Sequence, residues 1–285
     1  MLTVSLQQST IATLALLCVT GASPSWAQSV SGWDTEAHAA ARLLAGTLVQ
    51  KPEAGFVRAG VEIRLDPGWK TYWRYPGDTG VPPTLDFSGS ENVRSVAVEW
   101  PAPEEFPDGA GGHSIGYVGD IILPLHVTPV DAARASAVHV KLDYAICGNL
   151  CVPAQAKLDL ALPGNSAAEA VLEKAEERVP KRVALGADGG DGLSIRSVQR
   201  ESSAGKERVI VDVAAPAGAP LSLFVEGPTP DWALPLPEET GPAGPVRRFT
   251  FILDGLPPGA QAKGALLTLT AVSGDEAIEV AAHLD

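Results

Sequence analysis

Val138-His-Val-Lys-Leu-Asp-Tyr-Ala-Ile146 leads into Cys147-Gly-Asn-Leu-Cys151-Val-Pro153, and Ala156-Lys-Leu-Asp-Leu-Ala-Leu162 follows. Both flanking runs alternate apolar and polar side chains. That is the period of a strand with one face buried. Gly148-Asn149 between them is a strong turn signal. The two cysteines are thereby expected at the ends of a tight loop joining two strands, close enough to bond.

Outward from this hairpin the same text repeats. Gly55 to Leu65, Trp69 to Tyr75, Val93 to Trp100 and Gly119 to Thr128 read as strands, punctuated by Pro67-Gly68, Pro76-Gly77-Asp78 and Pro82-Pro83. Trp33 to Leu44 admits either a short helical turn or a lead-in to the first strand, and the chain is β-like from Leu43 onward. Six or more short strands in about 130 residues predict a β-sandwich. Asn165 to Arg182 breaks the pattern. It carries strong helix formers, a capping box of Ser166 with Glu169, and Pro180 as a stop. Leu185 to Gly192 is a polar, flexible link, and the domain boundary is placed there. Val209 to Ala214, Leu221 to Glu226, Arg247 to Leu253, Ala265 to Ala271 and Ala277 to His283 then predict a second sandwich. It carries no cysteine, and His283 is its sole histidine, so it reads as a structural or docking module.

Composition limits the function. The chain has 285 residues, 45% of them hydrophobic, with a formal charge of −13. That is enough apolar material for two cores, and the acidity argues against nucleic acid and anionic membrane surfaces. Ile11 to Gly21 is apolar but too short to span a bilayer, and Ser25-Trp26-Ala27 has the form of a cleavage site. Residues 1–27 are therefore expected to be a secretory signal, although their first residues hold no Lys or Arg. Leu17 before Cys18 argues against a lipid anchor. No later stretch is apolar enough to cross a membrane. The expected product is soluble and periplasmic, with two cysteines in an oxidising compartment.

The pair admits three readings. An even cysteine count in an exported protein is by default a structural disulfide. Against that, a loop of about five residues gives only roughly 2 kcal/mol of chain-entropy stabilisation, and a chain of this size does not need a staple. A bridge that contributes so little is suited to being opened and closed. The third reading is a soft metal such as Cu(I) on two thiolates. His113, His126 and His139 are scattered, each more ordinary as a surface or core residue, so no metal ligand set and no cofactor is expected.

Three stretches, Pro67 to Pro83, Trp100 to Leu125 and Tyr144 to Ala154, resemble the N-terminal periplasmic domain of the bacterial transmembrane disulfide reductases, the DsbD-like and ScsB-like proteins. The resemblance covers residues of about 40 to 163, and the two-sandwich layout looks more like the ScsB branch. It implies an immunoglobulin-like fold with the disulfide at one edge. The expectation is therefore an all-β chain of two immunoglobulin-like sandwiches: 28–163, then a helix and linker over 164–192, then 193–285. The resemblance also implies a relay in which a membrane thiol–disulfide reductase supplies electrons and thioredoxin-like periplasmic proteins accept them. Cys151 would form the mixed disulfide and Cys147 would resolve it. Phe106, with Glu104 and Glu105, would lie on a loop capping the pair, and Tyr72 and Trp69 would be its aromatic neighbours. For Trp69, Tyr72 and Phe106 the plain alternative is packing within the sandwich. For the two glutamates it is solvation, although carboxylates beside a thiol would raise its pKa. Members of the family usually continue into membrane helices and a thioredoxin-like domain. Up to Asp285 neither is found, so the expectation is either a stand-alone protein whose reductant comes in trans or an excised or divergent copy, and the direction of electron flow stays open. A non-catalytic binding module and a copper-tolerance protein remain the alternatives to a protein-disulfide reductase-type exchange protein.

Overall fold

The computed structural model describes residues 28–51, 55–77, 80–107, 111–203, 206–241 and 244–285. The export signal read in residues 1–27, with Cys18, lies outside them. The strands of the first sandwich, in chain order, are β1 (Asp34–Glu36), β2 (Ala39–Val49), β3 (Phe56–Leu65), β4 (Lys70–Gly77), β5 (Thr84–Asp86), β6 (Val93–Val98), β7 (Glu104–Pro107), β8 (His113–Val118), β9 (Ile121–Pro129), β10 (Ser136–Cys147) and β11 (Cys151–Leu162). One sheet has the order β1-β2-β3-β9-β6. The other runs β11-β10-β4-β8-β7, with β5 also on β10. Alternation fills the space between them: Leu43, Val61, Ile63, Leu123 and Leu125 face Trp73, Ile115, Leu142, Tyr144 and Ile146. Trp33 to Leu44 folds as the β1–β2 hairpin and forms no helical turn, with Ala37 at its tip at φ +47°. β-sheet pairing to β3 buries its small and apolar residues better than one isolated helical turn does.

The single α-helix among the described residues, α1 (Glu169–Glu176), lies against the outer face of the first sheet, where Leu172 packs on Leu44 and Ile122. Its start differs from the expected capping box. Asn165 is the cap, its side chain accepting the Ala167 N–H at 2.8 Å over a 3-10 turn of Ser166–Ala168. Glu169 instead accepts from the Thr47 N–H and the Arg58 guanidinium. A half-buried cation offers this carboxylate a charge-assisted bond, stronger than the backbone N–H a capping box would supply.

The second sandwich comprises β12 (Lys181–Arg182), β13 (Ser194–Ser203), β14 (Lys206–Ala214), β15 (Ser222–Glu226), β16 (Glu238–Glu239), β17 (Val246–Ile252), β18 (Leu266–Ser273) and β19 (Glu276–His283). Its sheets are β12-β19-β18-β15 and β13-β14-β17-β16. Val209, Val211, Val213 and Phe251 meet Leu223, Leu267, Leu269 and Val280 between them. The architecture is thus all-β, two sandwiches and one short helix. The link read as flexible is hydrogen-bonded to the start of the second sandwich: the Gly186 N–H donates to Ile195 O at 2.8 Å, and that of Gly189 to Leu193 O at 2.9 Å. The two cores also touch. Phe224 of β15 belongs to the core of the first sandwich, 5.9 Å from the Trp73 ring.

Candidate redox site

The β10–β11 ladder is regular to its end, and its last pair is Cys147 opposite Cys151. The two are disulfide-bonded, with Cα atoms 4.0 Å apart. Gly148, Asn149 and Leu150 close the turn, and the Gly148 N–H donates to Leu150 O at 3.1 Å. The Trp69 indole lies flat beneath this turn. A Cβ on Gly148 would come 3.1 Å from it, so a larger residue here needs the turn or the indole to give by a few tenths of an ångström. Behind Trp69 stacks the His38 ring at 4.0 Å, tied by Nδ1 to Asp66 Oδ2 at 2.8 Å.

Strand parity places the cysteines on the outer face of the second sheet, away from the main core. Cys147 joins Tyr72 and Ala145 in a small buried cluster there. Cys147 is 7% exposed, whereas Cys151 is exposed and Leu150 beside it is 77% exposed. The Tyr72 hydroxyl sits 3.0 Å from Cys147 Sγ and 3.2 Å from Cys151 Sγ. With the disulfide closed neither sulfur carries a proton, so the hydroxyl is the donor. The Tyr72 ring is itself confined. Gly80, at φ +138°, approaches so closely that a Cβ would fall 2.5 Å from a ring carbon. Thr71, the preceding residue, faces inward and donates its buried hydroxyl to Ala145 O at 2.9 Å, which pins β4 to β10.

Phe106 and its neighbours are arranged differently from the expected loop. Glu104–Pro107 is the edge strand β7, pairing with β8 with Phe106 opposite Ser114. Phe106 is buried, three strands across from β10 in the sheet order. The link between them is Lys70. It stands opposite Cys147 in the ladder and places its Nζ 4.4 Å from the centre of the Phe106 ring. Glu104 accepts the Val118 N–H at 3.2 Å, and Glu105 pairs with His113 Nδ1 at 2.5 Å, so each glutamate has its own partner on β8. The structure therefore gathers Tyr72, Trp69 and both cysteines, and connects Phe106 to them through a cation. Lys70 and His38 were not singled out in the sequence. For Lys70 the signal was present: it shares parity with Tyr72 in an alternating strand.

Of the remaining histidines, His126 and His139 serve ion pairs, and His283 Nδ1 lies 3.1 Å from Gly264 O. His126 Nε2 lies 2.9 Å from Glu176 and stacks on Phe56, and His139 pairs with Asp159. Among the described residues no group of three or more His, Cys, Asp or Glu side chains is placed to hold a metal ion, and no helix is long and apolar enough to cross a membrane.

Residues 41–163 match the family described as thiol:disulfide interchange protein DsbD, N-terminal. Over these residues the chain is similar to a DsbD N-terminal domain. The disulfide hairpin, Tyr72 and the Phe106 strand all fall inside this stretch. The crystal structure of the N-terminal periplasmic domain of ScsB from Proteus mirabilis superposes with a TM-score of 0.69 at 24% identity. That likeness covers 90% of this chain and 98% of the other, so the shared fold extends beyond the DsbD-like domain into the second sandwich. No curated protein matches the chain.

Proposed function

We propose that this protein is a periplasmic thiol–disulfide interchange protein whose reacting pair is Cys147–Cys151. The observation that carries the reading is the asymmetry of the pair: an exposed cysteine bonded to a buried one, with a tyrosine hydroxyl directed at both sulfurs. Exchange needs in-line approach of a thiolate to one sulfur and a good leaving group at the other. Cys151 offers the approach. Cys147 leaves as a thiolate and receives the Tyr72 O–H as a hydrogen bond, which favours the charged form.

In the reductive direction a partner thiolate attacks Cys151 Sγ. The intramolecular S–S bond breaks, Cys147 departs with the electron pair, and a mixed disulfide joins Cys151 to the partner. The partner's second thiolate then attacks its own sulfur in that bond, leaving the partner oxidised and Cys147 and Cys151 reduced. Delivery to an acceptor reverses the roles. The Cys151 thiolate opens the acceptor's disulfide, and Cys147 attacks Cys151 to release the acceptor as a dithiol. Two electrons move in each half. A membrane thiol–disulfide reductase fits the donor and thioredoxin-like periplasmic proteins fit the acceptors, as the DsbD-like domain suggests. In this reading Phe106 and Lys70 shield the pair from small oxidants on one side, and Trp69 supports the turn beneath it.

The test is trapping. Cys147→Ser should accumulate a mixed disulfide with a thioredoxin-like partner, because the resolving thiol is gone. Cys151→Ser should not, since the remaining sulfur is buried. Equal trapping by both variants sinks the role assignment. No trapping by either, with a large loss of Tm in both, identifies a structural disulfide.

A further inference from the structure

β4 has two halves with different neighbours. In the first half, Lys70, Thr71 and Tyr72 are laddered to Val118, Tyr117 and Gly116 of β8, and Lys70 and Thr71 also to Cys147 and Ile146 of β10. After Tyr72 the register breaks, and β8 is next met at Gly77. Three residues within that gap are engaged by the second sandwich. Trp73 packs on Phe224. Arg74 donates to both oxygens of Glu226, at 2.6 to 3.1 Å, and to Glu279 at 2.5 Å. The Tyr75 hydroxyl donates to Leu234 O. Glu226 ends β15 and Glu279 lies within β19, two strands of one sheet. The other oxygen of Glu279 is held by Arg182 at 3.1 Å, and Arg182 also reaches Glu99 of the first sandwich at 3.2 Å. The anchor for Arg74 is thus a fixed pair of carboxylates on a rigid sheet.

We propose that the second sandwich positions the redox pair: it grips β4 immediately after Tyr72, and Arg74 is the positioning residue through which it holds the Tyr72 hydroxyl on the two sulfurs. The proposal rests on the interchange reading of Cys147–Cys151. It gives the cysteine-free half of the chain a role in the chemistry without any contact to sulfur. The physical basis is the steep geometric dependence of a hydrogen bond. A strand end released from both ladders drifts unless something outside its own sheet fixes it, and a drift of about 1 Å at a reacting group is costly. The two-pronged guanidinium contact suits this task, because a planar fork fixes direction as well as distance.

The experiment uses the full chain, reduced, and follows against pH the rate at which iodoacetamide alkylates the Cys147–Cys151 pair, whose first ionisation is shared by the two thiols. Tyr72→Phe should raise the midpoint by about one pH unit, a roughly tenfold loss of thiolate at a given pH below it. Arg74→Met should move the midpoint in the same direction, by about threefold in thiolate or more, and Arg74→Lys should recover part of it. In the Tyr72→Phe background Arg74→Met should add nothing, since the hydroxyl it positions is gone. Should Arg74→Met fail to fold, Glu226→Gln weakens the same grip with no change of shape and must show the same dependence on Tyr72. A midpoint that stays in place while Tm falls overturns the proposal. So does a shift of equal size in both backgrounds, or a Tyr72→Phe variant that titrates like the parent. Alkylation involves no protein partner, so a chain that fails to exchange with partners would sink the interchange reading while leaving this result readable.

Discussion

The two sandwiches are built alike, yet they use their outer surfaces differently. Each stacks two antiparallel sheets over an aliphatic core of alternating residues. In the second, Trp232 and Leu234 join the core from the connection between β15 and β16, and the described surface carries ion pairs such as Arg248 with Asp212 and Arg247 with Glu239. In the first, one outer face buries a second, much smaller cluster of Tyr72, Ala145 and Cys147. A sandwich needs only one core for stability. A buried tyrosine hydroxyl and a sulfur pair on the opposite face of the same sheet therefore point to chemistry, and their absence from the second sandwich leaves that half free for support.

The largest effect that would break this comparison lies at the junction. Phe224 is a residue of the second sandwich by chain and of the first by packing. Phe224→Ala should cost about 3–5 kcal/mol, the usual range for a buried aromatic. Calorimetry of the parent should show one unfolding transition, and that of the variant a lowered and divided one. Two separate transitions already in the parent would make the sandwiches independent bodies. Next in size is the disulfide. Its reduction should lower stability by roughly 2 kcal/mol or less, because the loop closed is about five residues long. Thermal unfolding with and without dithiothreitol measures this, and a loss comparable to Phe224→Ala would return the bond to a structural role.

A smaller effect comes from the acid side. Burial pushes the Glu176 carboxyl up, but hydrogen bonds from His126 and Arg58, with the charge of Arg58, outweigh it and hold the group below its ordinary value of 4.5. Glu169 is likewise pushed up by burial and brought below 4.5 by the Thr47 N–H and Arg58. Carboxyls depressed in the folded state contribute stability that is complete above their unfolded value and lost as pH falls through the folded one. Stability should therefore fall below about pH 4.5, and Glu176→Gln should flatten that fall. An unchanged pH profile would show that the Glu176 pairs contribute nothing to that fall. The smallest expected change is Gly148→Ala. Its Cβ meets the Trp69 indole at 3.1 Å, and the turn should yield at a cost of about 1 kcal/mol or less. A Tm drop matching that of Phe224→Ala would mean that the indole cannot give way.

Strands with clean alternation were legible in the sequence: 138–146, 55–65 and 209–214 are strands where they were expected. Three features were hidden for physical reasons. β13 is polar over most of its length, and its bulge between Ile195 and Ser197 shifts the parity of its apolar side chains. β7 is an edge strand of four residues next to prolines, so its local composition resembles a loop. Asn165 competes for the helix start from one position upstream, and the choice depends on where Arg58 lies, 111 residues from Glu169. At the candidate site, the residue types around the cysteines could be read locally. The connection of Phe106 through Lys70, and the grip of the second sandwich on β4, depend on contacts that no window of sequence contains.

The hairpin ladder pairs Cys147 and Cys151 directly opposite one another through the backbone, a pairing to which the bond between their sulfurs is not needed in principle. Opening the disulfide should therefore leave the two thiols side by side. Each remains to the other a reagent at very high effective molarity, of the order of 10⁵ M or more for well-oriented groups. In the proposed exchange, a partner captured on Cys151 would meet that local concentration of Cys147 at once. The lifetime of the captured complex would then be set by the ladder's register rather than by how tightly the partner binds.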